Sequence, residues 1–131
     1  MFLDTNILIY EWDHSDSRRR EVARKLISDG AHQLMVSSQV LQEFAHNARR
    51  KLEMSDVEIN LCLETYAQFR FVPVDSDMVM AAILSSSEFK ISFWDALIIE
   101  AAVAGNCNML YTEDLNHDQT IRGVKIVNPF M

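Results

Sequence analysis

The sequence predicts an α/β fold in one domain, a central, mostly parallel sheet of about five strands covered by helices on both faces. Three observations carry that prediction. Short apolar runs alternate with amphipathic stretches long enough to be helices, as in consecutive strand–helix–strand units. The helical stretches begin at serine or aspartate caps, and two are followed by glycine. Finally, 131 residues with 49% hydrophobic and 24% charged side chains suit a single folded domain and exclude a disordered chain.

The chain opens on Met1-Phe2-Leu3, an apolar strand that ends at Asp4-Thr5-Asn6 before Ile7-Leu8-Ile9 resumes as a short helix or turn. Ser17 sits among cap residues from His14 onward. The helix after it carries Val22, Ala23, Leu26 and Ile27 on one face, and Gly30 closes it. Leu34-Met35-Val36 reads as the second strand. Ser37 or Ser38 caps a helix whose apolar face is Val40, Leu41, Phe44, Ala45, Ala48 and Leu52. Ser55 followed three residues later by Glu58 is a capping box. Phe71-Val72-Pro73-Val74 is a third strand, at an edge or an end because proline cannot donate to a ladder. A helix from Ser76 to about Phe89 carries Val79, Ala82, Ile83 and Leu84. The next, after Ser92, is apolar nearly all round and so belongs against the sheet. Met109 to Thr112 is the fourth strand, a polar loop runs to Gly123, and Val124 to Val127 is the last strand.

Net charge is −7, with 19 acidic against 12 basic residues. That excludes a general nucleic-acid coat, which would be basic, but not an enzyme whose carboxylates hold cations. No apolar run is long enough to span a bilayer and no signal peptide is visible, so a cytoplasmic protein is expected. Cys62 and Cys107 stand in apolar surroundings without metal-ligand spacing and read as reduced core residues. Arg18-Arg19-Arg20 and Arg49-Arg50-Lys51 are the two basic clusters. Each is a solvated helix face or a grip on phosphates.

Four carboxylates are placed where a doubly wound sheet gathers its ligands. Asp4 and Asp114 follow strands one and four, Asp95 opens the buried helix, and Glu43 lies in the first turns after strand two. Oxygen-only ligands suit Mg²⁺ or Mn²⁺, and such ions activate water and neutralise a phosphodiester's developing charge. Each acid also has a plainer reading. Asp95, three residues after Ser92, fits a helix cap; Glu43 fits a solvated helix position; Asp114 fits a turn. Asp4 has the least ordinary placement, since a lone acid in a core strand is costly. Glu113 and Asp118 are spare acids nearby.

These residues together resemble a PIN-domain ribonuclease of the VapC type, the toxin of a type II toxin–antitoxin pair. The carriers are Phe2 to Asn6, Ser37 to Phe44 with Glu43, Ser92 to Ile98 with Asp95, and Leu110 to Leu115 with Asp114, joined by the tail Gly123 to Phe130. The resemblance implies an α/β/α sandwich and Mg²⁺- or Mn²⁺-dependent endonuclease activity on RNA. It also implies a homodimer and a cognate antitoxin in the active-site groove. Asp4, Glu43, Asp95 and Asp114 would be the catalytic acids, with metal at Asp4, Asp95 and Asp114. Asn6 and Thr112 would be supporting polar residues. The chain departs in one place: Asp118 stands where related sequences often carry glycine, and is a candidate further ligand. Three other readings compete. A non-catalytic PIN scaffold would bind RNA or protein, but it would tend to have lost acids. A phospho-acceptor receiver would need an acidic pair near the first strand. A haloacid-dehalogenase-like phosphatase would need an aspartate where Asn6 stands.

Overall fold

A two-residue strand, β1 (Phe2–Leu3), lies at the middle of the sheet, and both of its side chains are fully buried. In the computed structural model, which describes residues 1–30 and 32–131, the order of elements is as follows. After β1 come α1 (Thr5–Tyr10), α2 (Ser17–Gly30), β2 (Met35–Ser37), α3 (Ser38–Lys51) and α4 (Asp56–Tyr66). β3 (Arg70–Val72), α5 (Ser76–Phe89), α6 (Phe93–Ala104), β4 (Met109–Tyr111), β5 (Thr120–Ile121) and β6 (Val124–Val127) complete the chain.

The six strands run in the order β3-β2-β1-β4-β6-β5. All neighbours are parallel except β5 and β6. The register Phe2↔Met35 on one side and Leu3↔Tyr111 on the other makes β1 the pivot. Connections go one way from β1 and the other way from β4, so the crevice at the carboxyl ends of these two strands is the sheet's switch point. Helices cover both faces. Phe2, Leu3, Ile7, Leu34, Phe44, Ile99, Leu110 and Ile126 form the main core between them. The buried run Ala96 to Ala102 of α6 lies on the sheet, as an all-round apolar helix must.

The local chemistry explains most boundaries. Ser55 and Glu58 form both halves of a capping box at α4. Pro73 lies one residue beyond the edge strand β3. Gly105 ends α6 where a Cβ would fall 2.3 Å from Met35 Sδ, so the backbone there packs directly on the second strand's side chains. Gly30 is the last residue of α2. Cys62 and Cys107 are buried and free.

Two features differ from the sequence expectation. The sheet has a sixth strand inside the stretch read as a polar loop. Ile121 pairs with Val124 across Arg122-Gly123, whose φ values of 54° and 78° make a two-residue hairpin turn. Arg122 is held in that left-handed conformation by a bidentate pair with the buried Glu100, at 2.9 and 3.1 Å. Glu100 also accepts from Ser85 Oγ at 2.9 Å. The second difference is α5, whose Val79, Met80, Ile83 and Leu84 face outward while Ala82 and Ser85 are buried. Among the described residues, no helix is long and apolar enough to cross a membrane.

Candidate active site

Asp4 is carried into the switch-point crevice by β1 and stops the strand there. Its backbone N–H continues the ladder to Tyr111 O, while its side chain caps α1 by accepting from Thr5 N at 2.6 Å. Acid and cap are thus one residue. Asp4 is only 5% exposed. Its second oxygen accepts from Thr112 Oγ1 at 2.7 Å, and the same hydroxyl accepts from the Asp114 N–H at 3.1 Å. Thr112 therefore ties the ends of β1 and β4 together and sets the loop that presents Asp114. The carboxylate of Asp114 is oriented by Asn6 Nδ2, which donates at 2.9 Å.

Asp95 arrives from the other side, in the first turn of α6. The cap pattern in the sequence is real, but Ser92 is the cap: its Oγ accepts from the Asp95 N–H at 3.0 Å. The carboxylate is left to face the crevice. Asp4, Asp95 and Asp114 each offer an oxygen, all within 4.8 Å of one another. Glu43 lies outside this cluster but close enough for both Asp95 and Asp114 to act on its charge. It is fixed by Gln39, whose Nε2 donates to Glu43 Oε1 at 2.8 Å and to Trp94 O at 3.1 Å. Gln39 so joins α3 to the start of α6.

The electrostatics follow from that geometry. Burial, reinforced by Asp114 and Asp95, pushes the Asp4 carboxyl up to about 7 against the opposing hydrogen bonds from Thr112 and Thr5. Burial also raises Asp95, with Asp114 adding to it, and raises Glu43. Burial thus raises Asp4, Asp95 and Glu43 alike, and none of the three pairs with a basic side chain among the described residues. The arrangement lacks positive charge. Two buried oxygens beside it, Gln39 Oε1 and Thr5 Oγ1, have no hydrogen-bond partner among the described residues. An all-oxygen donor set with an unmet cation requirement fits Mg²⁺ or Mn²⁺ and does not fit a soft metal.

Of the acids singled out in the sequence, the structure brings Asp4, Asp95 and Asp114 together and sets Glu43 at their flank. Asp118 is not brought in: it turns outward at φ 67° and lies 3.6 Å from Lys125 and 3.4 Å from His117. Glu113 points away from Asp114, accepting from Tyr10 Oη and from Arg19 Nε. Arg19 also pairs with Asp16, and Arg18 donates to Phe130 O, so much of the first basic cluster is structural. Sequence reasoning missed Gln39. Its signal was the four-residue spacing to Glu43, which places both on one helix face.

The family profile of the PIN domain matches residues 1–122. No curated protein matches the sequence. Among solved structures, the chain is similar to a toxin–antitoxin complex from Klebsiella pneumoniae, at 23% identity and a TM-score of 0.74. The match covers 98% of this chain and 96% of that one. It is also similar to VapC20 of Mycobacterium tuberculosis, a sarcin-ricin loop cleaving toxin, at 19% identity and TM-score 0.70, covering 86% and 88%. A third is VapBC2 from Rickettsia felis bound to a DNA fragment from its promoter, at 18% identity and TM-score 0.65, covering 95% of each chain.

Proposed function

The chain belongs to the PIN domain family, and on that footing we propose that it is a divalent-metal-dependent endoribonuclease, the toxin of a VapBC-type toxin–antitoxin pair. The observation that carries the chemistry is the convergence of the Asp4, Asp95 and Asp114 carboxylates within 4.8 Å, one of them buried and none paired with a basic side chain among the described residues. RNA is the proposed substrate because a structural neighbour is an RNA-cleaving toxin with the same fold. All 131 residues are taken as one domain, since β6 beyond the family match pairs with β4 in the same sheet.

Asp4, Asp95 and Asp114 would hold Mg²⁺ or Mn²⁺. When bound, the ion supplies the positive charge that stabilises the phosphodiester's developing charge and makes water a nucleophile near neutral pH. The chain's own residues do the positioning. Thr112 fixes the Asp4 carboxylate and the loop of Asp114, and Asn6 fixes the Asp114 carboxylate. Gln39 holds Glu43 by Oε1, which leaves Oε2 to take the proton of the attacking water. Burial raises the Glu43 carboxyl, which makes it a better base at neutral pH than an ordinary glutamate. No nucleophilic side chain is needed.

A cognate antitoxin and a homodimer belong to the same proposal, as does a cytoplasmic location. The outward stripe of Met80, Ile83 and Leu84 on α5 supports a protein partner for that face.

Cleavage of a total-RNA substrate by the purified chain tests the proposal, run with Mg²⁺, with Mn²⁺ and with EDTA beside Asp4→Asn. The expected result is cleavage with either metal that disappears in EDTA and in the variant. Full activity in Asp4→Asn, or cleavage undiminished in EDTA, would contradict it.

A further inference from the structure

Basic side chains are few on this acidic chain, and most are already engaged. Arg19 is shared by Asp16 and Glu113, and Arg122 is held by Glu100. Arg18, Arg24 and Arg70 donate to the carbonyl oxygens of Phe130, Glu11 and Gly105. The carboxyl half of α3 is different. There His46, Arg49 and Arg50 border a cleft of about 520 Å³ between α3 and α4, with Asn60, Leu63 and Asp56 opposite. Arg50 has no carboxylate within ion-pair distance among the described residues; its one polar contact is His46 Nε2, at 3.5 Å. Arg49 pairs with Asp56 at 2.7 Å, but the two side chains are 70% and 75% exposed. Such a pair is weak and exchangeable.

The cleft's position gives it meaning. Residues 39, 43, 46 and 50 recur at the spacing of one helix face. Gln39 and Glu43 belong to the acidic centre, and His46 and Arg50 continue the same face away from it. At 1.5 Å per residue, Arg50 lies about 10 Å along the axis from Glu43, near enough for one bound strand to reach both. A cluster of carboxylates with net charge −7 behind it repels every phosphate except the one its cation neutralises. A bound strand therefore needs cations beside the centre, and this is where the chain keeps them. Guanidinium groups match phosphate oxygens in charge and in the geometry of their paired donors.

We infer that the cleft of His46, Arg49 and Arg50 binds a backbone phosphate of the RNA strand flanking the scissile bond, with Asp56 competing for Arg49. The inference rests on the ribonuclease reading above.

Fluorescence anisotropy of a short, labelled, single-stranded RNA of mixed sequence tests it, titrated with the full chain in EDTA over a range of salt. Arg50→Glu is expected to weaken binding about tenfold. It should also make the slope of log affinity against log salt shallower by about 0.7, the contribution of one phosphate contact. Arg50→Gln should give a smaller loss of the same sign. Asp56→Asn, which releases Arg49, should tighten binding. Arg20→Glu, in the other basic cluster, should leave affinity and slope unchanged. Wild-type affinity and slope in Arg50→Glu would overturn the inference, as would RNA binding that fails to depend on salt or fails altogether. Because the measurement contains no cleavage step, a chain that binds but never cuts counts against the nuclease reading alone. A chain that cuts while Arg50→Glu binds normally counts against the cleft alone.

Discussion

Replacing Asp4 by asparagine should abolish activity and yet stabilise the metal-free protein at alkaline pH. Folding raises this carboxyl from an ordinary 3.8 to about 7, chiefly by burial. The native state therefore keeps a proton that the unfolded chain has released, and wild-type stability falls as pH rises from about 4 to about 7. At 1.36 kcal/mol per pH unit, the full cost above pH 7 is about 4 kcal/mol, and at pH 5 less than half of that. The amide has the same shape and carries no charge to desolvate. Its carbonyl still accepts from the Thr5 N–H, but its NH₂ meets the Thr112 hydroxyl as a second donor, which forfeits about 1–2 kcal/mol. The net gain is about 2–3 kcal/mol at pH 8 and close to zero at pH 5. For 131 residues at about 2.1 cal/mol/K each, that is a rise in Tm of about 7–11 °C at pH 8. Thermal unfolding followed by circular dichroism in EDTA, at both pH values, reads it directly. An equal shift at pH 5 and pH 8, or a variant less stable than wild type at pH 8, would refute the assignment of the strain to a buried, uncompensated charge.

Other perturbations probe the supports of the site. Thr112→Val removes the donor to Asp4 and the acceptor for the Asp114 N–H, and should lower stability by about 2 kcal/mol in urea titrations. Because the lost hydrogen bond holds the Asp4 pKa down, the acidic limb of the cleavage–pH profile should move to higher pH; an unmoved limb would contradict the role given to Thr112. Gly105→Ala forces a Cβ against Met35 Sδ and Val72 Cγ2 in the core, and should cost about 2 kcal/mol, measured as a fall in the denaturation midpoint. Glu100→Gln breaks the bidentate pair that holds Arg122 in its left-handed turn. Arg122 reaches solvent, so the expected loss is about 2 kcal/mol rather than that of a fully buried ion. A Tm unchanged from wild type would show that the hairpin holds itself.

What was legible in the sequence was what local chemistry controls. Asp4 stood out because an acid at the end of an apolar strand demands compensation, and the crevice of β1 and β4 answers with hydrogen bonds and two further acids but no positive charge. The capping box at Ser55 and the end of the third strand at Pro73 were equally readable, because each depends on neighbours a few residues away. Contacts that span the chain were not. Glu113 read only as a spare acid beside Asp114, and nothing local showed that Tyr10 and Arg19, some ninety to a hundred residues earlier, claim it. Asp118 sits near the site in sequence but is turned toward Lys125 by a hairpin that sequence patterning does not reveal. That hairpin escaped because its strand is two residues long and its turn uses Arg122 at a position where asparagine or glycine is the usual signal. Likewise, the apolar spacing of α5 predicts a helix but not which of its faces meets the core.

The measurement that tests the central claim most directly is a calorimetric titration of Mn²⁺ into the metal-free chain and into Asp4→Asn. Saturable binding in the wild type that vanishes in the variant is the predicted result, since on the proposed reading Asp4, Asp95 and Asp114 would hold the ion together. Absence of binding to the wild type, or binding of equal affinity to both, would contradict the claim that these three carboxylates form a cation site.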